Sequence, residues 1–250
     1  MHWTLANAAA NLKRRAKKRE RPRGLPLPAL WLVTDESRLP DPMAALAQLP
    51  RGAGLILRHY GVADRTLLAK RLAAACRRRG VALLIAGDWR LGASVGAAGV
   101  HLGEHAARRG LSSGGSLWLR LSRKLLTVAA HGPRGLRRAV QLNAAAAVLA
   151  PIFKTASHPS RIPLGIARAA ALVRKTSVPV LALGGVTAST IKGLQHSGCA
   201  GVAGIGFAYP PNSSMIDQKR SSTPTRAPVP GGAVSGGKIA SGVPRLSPTP

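Results

Sequence analysis

Carboxylates are scarce in this sequence. Of its 250 residues, 8 are Asp or Glu against 37 Lys and Arg, which leaves a formal net charge of +29. Aromatic residues are scarce too, at 3 %. None of them is interleaved with the most basic run, so single-strand nucleic-acid binding by base stacking lacks its usual platform. The 2 cysteines, Cys76 and Cys199, have no metal-ligand spacing. They read as small buried hydrophobes of a reducing compartment, and the expected location is cytoplasmic. No apolar run approaches the roughly 18 to 20 residues of a membrane-spanning helix. The longest, AAAAVLAPIF at 144–153, has the length of a strand. The N-terminus lacks an apolar stretch after its charges, so no signal peptide is expected.

What is present is positive charge. Such a field attracts phosphate, anionic metabolites, nucleic acid or acidic lipid. Residues 13–23, KRRAKKRERPR, hold 8 of the basic residues. A run of this kind is ordinarily a solvated extension. The sharper reading is non-specific anion or nucleic-acid contact, and residues 1–26 are set apart as a basic N-terminal arm. Residues 210–250 are rich in Pro, Gly, Ser and Thr. They cannot bury enough apolar surface to offset the entropy of ordering, so disorder is expected there. The folded domain is expected over 27–209.

Within that domain eight apolar runs alternate with helix-sized segments. They are LWLVTD (30–35), GLILR (54–58), VALLIAG (81–87), GVHLG (99–103), LLTVAAHG (125–132), AAVLAPIF (146–153), VPVLALGG (178–185) and GVAGIGFA (201–208). Near-continuous apolarity suits parallel strands covered by helices on both faces. Asp64 is placed to cap a helix that stops at Gly80, and Thr187 to cap one that stops at Gly198. Pro163 suits the first turn of a helix running to Arg174. The pattern predicts a (β/α)8 TIM barrel, with a doubly wound open sheet as the competing arrangement. No regular helix follows the eighth strand. The ring is either incomplete there or closed by a helix from the N-terminus.

Glycine weakens a strand interior, so Gly184 and Gly185 at the end of the seventh run ask for a reason. A tight turn is one, and close approach of backbone to a ligand is the other. On a barrel, chemistry sits at the strand ends, and the loops after the last two strands form the usual phosphate cradle. Gly184, Gly185, Ile205 and Gly206 are the candidate backbone contacts, and the expected partners are small phosphorylated substrates.

The pieces LWLVTD, LILR, GAAGVHLGE, TVAAHG, APIFKTASHP and VPVLALGGVTASTIKGLQHSGCAGVAGIGF stand in one order over residues 30–208. In that order they resemble the thiamine-phosphate synthase family and its thiazole tautomerase (TenI-like) branch. The resemblance implies a barrel that joins hydroxymethylpyrimidine diphosphate to a thiazole phosphate. Mg2+ assists departure of pyrophosphate, and thiamine phosphate is the product.

Residue by residue, the resemblance carries over unevenly. The family's Gln-Leu-Arg-x-Lys after the second strand reads Ile56, Leu57, Arg58, His59, Tyr60. Arg58, implied to contact the diphosphate, is retained. The Asn-Asp after the third strand falls on Ala86 and Gly87, and the second metal carboxylate on Ala106. A pyrophosphate-binding serine falls on Ala129. Thr-x-Thr-Lys becomes Thr155, Ala156, Ser157, His158, which keeps two hydroxyls for the substrate phosphates and offers His158 in place of the lysine. Asp88 and Glu104, displaced from the family positions, are the candidate Mg2+ ligands. The plainer role for Asp88 is a helix cap, and for Glu104 an ion pair. His131 corresponds to the histidine that shuttles a proton in the tautomerase branch, a reaction needing a phosphate anchor and no metal. The expected activity is therefore the coupling reaction, with Arg58 and His131 in the catalytic set. The alternatives are a tautomerase or a non-catalytic thiazole-phosphate binder, and a nucleic-acid-associated basic protein built on the barrel.

Overall fold

Eight short apolar runs become eight parallel strands, and the ring closes. The strands of the computed structural model are β1 (Leu30–Val33), β2 (Gly54–Leu57), β3 (Ala82–Ala86), β4 (Gly99–Leu102), β5 (Leu125–Ala130), β6 (Ala146–Leu149), β7 (Val180–Leu183) and β8 (Gly201–Gly204). Each pairs with the next in sequence, and β8 pairs back to β1 through Leu30 and Val202. The barrel expectation holds, and the open sheet is excluded. The structure describes residues 2–16, 26–155 and 161–205.

Alternation along the strands sorts the core into layers, because successive side chains point to opposite faces. Trp31, Val33, Ile56, Leu84, Ala86, Leu125, Ala146, Val148, Leu181 and Ala203 fill the interior of the ring. Their neighbours pack outward under the helices. Trp31 is fully buried and donates from Nε1 to the Pro28 carbonyl at 2.8 Å. A Cβ on Gly54 would lie 2.2 Å from its ring. The indole fits because the facing strand begins with glycine.

The outer ring holds α2 (Pro42–Ala47), α3 (Arg65–Arg79), α4 (Trp89–Ser94), α5 (Glu104–Arg109), α6 (Ser113–Leu121), α7 (Pro133–Gln141) and α8 (Gly165–Arg174). Their starts show where the few acids went. Asp41 accepts from the amides of Met43 and Ala44, Asp64 from Leu67 and Asp88 from Leu91. Gly80 closes α3 in the left-handed conformation, as its position suggests. Pro163 lies just ahead of α8 rather than in its first turn. After β7 the expected α-helix is a short 3-10 helix, Thr190–Leu194. Thr187 accepts from the Thr190 amide and returns its own amide to the Thr190 hydroxyl. Such local side-chain bonds compete with α-helical pairing.

The N-terminus closes the ring. Helix α1 (His2–Arg15) contacts β8, β1 and the 3-10 helix. Its buried Leu5, Ala9 and Leu12 share a cluster with Ile191, Leu194 and Val202. Lys13 Nζ donates to the Leu27 carbonyl at 2.5 Å. Residues 2–15 thus cover β8 instead of forming a solvated arm, because an apolar stripe at helical spacing lies beneath the basic charge. The rest of the arm, 17–25, and the tail from 206 on lie outside the described residues. Cys76 and Cys199 are buried, and burial pushes the Cys76 thiol up to about 12. No helix among the described residues is long and apolar enough to cross a membrane.

Candidate active site at the strand-end rim

The strand ends form a rim of small residues with a few polar side chains on it. β7 and β8 pair Leu183 with Ala203, so Gly185 and Ile205 each stand two residues further along. Gly184 and Gly185 have φ of +94° and +65°. A Cβ on Gly184 would meet Pro151 at 2.9 Å, and one on Gly185 would meet the Lys154 carbonyl at 2.4 Å. Phe153 donates its amide to the Gly184 carbonyl. The glycines therefore let the β6 loop fold against the end of β7. Among the described residues the Gly185 and Ile205 amides carry no hydrogen bond. Thr155 sits half-buried on that same loop. Ser157, His158 and Gly206 lie outside the described residues.

His131 sits just past β5, its side chain 41 % exposed. Nδ1 is 2.8 Å from the Ala150 carbonyl. A carbonyl only accepts, so Nδ1 carries a hydrogen, and Nε2 is the nitrogen left to take or give a proton. Nε2 faces Glu104 Oε2 at 3.7 Å. Glu104 opens α5, in the first turn where the helix dipole favours a carboxylate. Gly135 of α7 makes the room. A Cβ there would lie 2.8 Å from Ala130 and 3.0 Å from Glu104 Oε1. An unbroken line thus runs from Glu104 through His131 and Ala150 to Pro151 and Gly184. It joins the ends of β4, β5, β6 and β7.

The opposite side of the rim is held by Thr34. This fully buried residue accepts the Arg58 amide at 2.9 Å, and its hydroxyl is 2.8 Å from His59 Nδ1. Arg58 continues the inward positions of β2 beyond Ile56. Its charge reaches His101, the inward residue of β4, whose Nδ1 is 2.9 Å from the Thr127 hydroxyl. Burial first, and then Arg58, hold His101 down at about 4, so its ring is neutral. Burial also lowers His59. Asp35 lies well below the usual carboxylate range, chiefly through its bond to Arg38.

The acids do not rebuild the family's cation site. Asp88 caps α4 and Glu104 faces His131. Among the described residues no group of three His, Cys, Asp or Glu side chains is placed to hold a metal. Asp88 and Glu104 are committed to a helix start and an imidazole, so the described donor set does not fit Mg2+.

Sequence reading missed Thr34, Thr127 and Gly135. The first two carry a signal, a lone hydroxyl within an apolar strand. Gly135 carries a weaker one, a glycine inside a helix.

Fold and rim define a (β/α)8-barrel protein with a glycine edge at the end of β7 and an imidazole–carboxylate pair joined to it through the β6 loop. The family model described as "Thiamine monophosphate synthase" matches residues 30–207, and the chain belongs to that family. A protein of Aquifex aeolicus, provisionally named thiamine-phosphate synthase 2, is 32 % identical over 185 residues, 72 % of this chain and 96 % of its own length. A provisionally named thiamine-phosphate synthase of Geobacter sulfurreducens is 34 % identical over 189 residues, covering 70 % and 84 %. The solved thiamine phosphate pyrophosphorylase of Pyrococcus furiosus superposes with a TM-score of 0.55 at 18 % identity, over 70 % of this chain and 84 % of that one. That likeness concerns the fold alone.

Proposed function

We propose that this chain binds a thiazole phosphate of thiamine biosynthesis at the β7–β8 rim and moves a proton on it with His131, the reaction of the tautomerase branch. One observation carries the reading: Nε2 of His131 is set free as a base by the Nδ1–Ala150 bond and faces the Glu104 carboxylate. In the reaction, the amides of Gly185 and Ile205 receive the phosphate oxygens. Nε2 takes a proton from a ring carbon of the substrate and returns it at another, so no electron or group leaves. Glu104 balances the charge of the imidazolium between the two transfers.

A second reading, the coupling of thiazole phosphate with the pyrimidine diphosphate, is supported by the relatives' names. It is supported too by Arg58, retained where the family binds diphosphate. In that reading Arg58 supplies the positive charge that the departing pyrophosphate needs. The two readings share the phosphate anchor and differ in everything else. Thiazole phosphate is incubated in D2O with EDTA, and separately with the pyrimidine diphosphate and Mg2+. Carbon-bound deuterium appearing under EDTA supports proton transfer. Pyrophosphate released only with Mg2+, and no exchange, overturns it in favour of coupling.

A further inference from the structure

The described carboxylates all lie on one side of the barrel. Asp35, Glu36, Asp41, Asp64, Asp88 and Glu104 follow strand ends or open helices, which places each of them on the rim that carries the candidate site. The opposite face is made by helix ends and strand starts, and no described acid lies on it. Its exposed cations include Arg15 at the end of α1, Arg78 at the end of α3, Arg120 and Arg123 at the exit of α6, and Arg174 and Lys175 at the end of α8. None of these six side chains has a hydrogen bond or ion pair to a described residue. Between α1, α8 and the 3-10 helix the face opens into a hollow of about 540 Å³, lined in part by Arg15, Arg174 and His196.

Helix dipoles favour a cation in each last turn. That accounts for one charge per helix, whereas α3 alone ends in Arg77, Arg78 and Arg79. Arg77 and Arg79 are bonded to the carbonyls of Val95, Ala47 and Leu49, and Arg78 is left to solvent. We infer that this face binds the phosphate backbone of duplex nucleic acid, without reading sequence. Guanidinium forks match phosphate geometry. The charge is spread over the ends of four helices around the face, as a wide polyanion requires. A membrane-surface element would instead gather it along one amphipathic helix. The inference is independent of the proposed reaction, which uses the other end of the barrel.

The test uses the full chain and a labelled 24-base-pair DNA duplex, followed by fluorescence anisotropy across a salt series. Removing one cation that neutralises a phosphate flattens the salt slope by about 0.9. The combined variant Arg78→Gln, Arg120→Gln, Arg123→Gln, Arg174→Gln is expected to bind at least tenfold more weakly at ~0.1 M salt, with a slope flatter by roughly 3.6 if each side chain neutralises one phosphate. All four side chains are surface ones, and an unchanged melting curve and unchanged turnover of thiazole phosphate show that the fold and the other face survive. Unaltered duplex binding in that variant overturns the inference and moves the interaction to basic residues elsewhere in the chain. Binding to vesicles containing phosphatidylserine but not to the duplex overturns it as well. Deletion of residues 1–24 is not a usable test, because it removes α1 and uncovers β8.

Discussion

The two ends of the barrel's interior are built from the same eight strands and filled in opposite ways. At the strand starts the fully buried Trp31 occupies the ring, and Gly54 gives way to it. At the strand ends the inward positions include Arg58, Ala86, His101, Ala129, His131 and Gly185, which are small or polar, beside the apolar Leu183 and Ile205. One end is packed for stability. The other is left open, with its imidazoles oriented by neighbours, His101 by Thr127 and His131 by Ala150, and with the backbone of Arg58 held by Thr34. Barrels generally divide these tasks between their two faces. Among the described residues the division extends to the surface, with carboxylates at one end and arginines without side-chain partners at the other.

Changing the packed end should have the largest effect on stability. Trp31→Ala is expected to cost about 3–5 kcal/mol, read by urea unfolding. A loss below about 1 kcal/mol would show that the indole does not hold that end together.

The open end should respond to pH. The folded chain holds His101 at about 4, against an ordinary 6.5, so the unfolded chain takes the proton more readily. Stability is therefore complete above about 6.5 and declines as pH falls toward about 4, by up to about 3 kcal/mol. His59 shifts in the same direction and adds to the decline. Unfolding at pH 7 and pH 4.5 measures it, and His101→Gln should flatten most of the slope. An equal slope in that variant would assign the effect elsewhere.

Two glycines separate strain from steric contact. Gly52 and Gly185 both have positive φ, but a Cβ on Gly52 meets nothing within 4 Å while one on Gly185 meets the Lys154 carbonyl. Gly52→Ala is expected to cost about 1 kcal/mol. Gly185→Ala should cost about 1–3 kcal/mol and also weaken thiazole phosphate in calorimetric titration. Equal costs and undiminished binding would detach Gly185 from the phosphate site.

The smallest effect is expected at Asp88. Asn caps a helix about as well as Asp, so Asp88→Asn should leave the melting temperature and turnover nearly unchanged. Loss of activity in this variant would return Asp88 to a ligand role.

The barrel is legible in the sequence because its strands are apolar on both faces and helix starts are marked by Asp64 and Asp88. Helix α1 is hidden, since Leu5, Ala9 and Leu12 are diluted by alanine and sit beside the densest run of charge. The site is only half legible. His131 and Gly185 stand out by their places at strand ends. The pairing of His131 with Glu104 depends on how closely α5 and α7 approach, and that is set by Gly135, a residue with no chemistry of its own. The purpose of Gly184 and Gly185 likewise shows only in three dimensions, where the β6 loop occupies the space that side chains would fill.

Deuterium exchange into thiazole phosphate under EDTA, compared between the unaltered chain and His131→Ala, is the most direct test. Exchange is expected in the first and a loss of about 10²–10⁴-fold in the second. Exchange that is absent from both, alongside Mg2+-dependent release of pyrophosphate when the pyrimidine diphosphate is added, would contradict it.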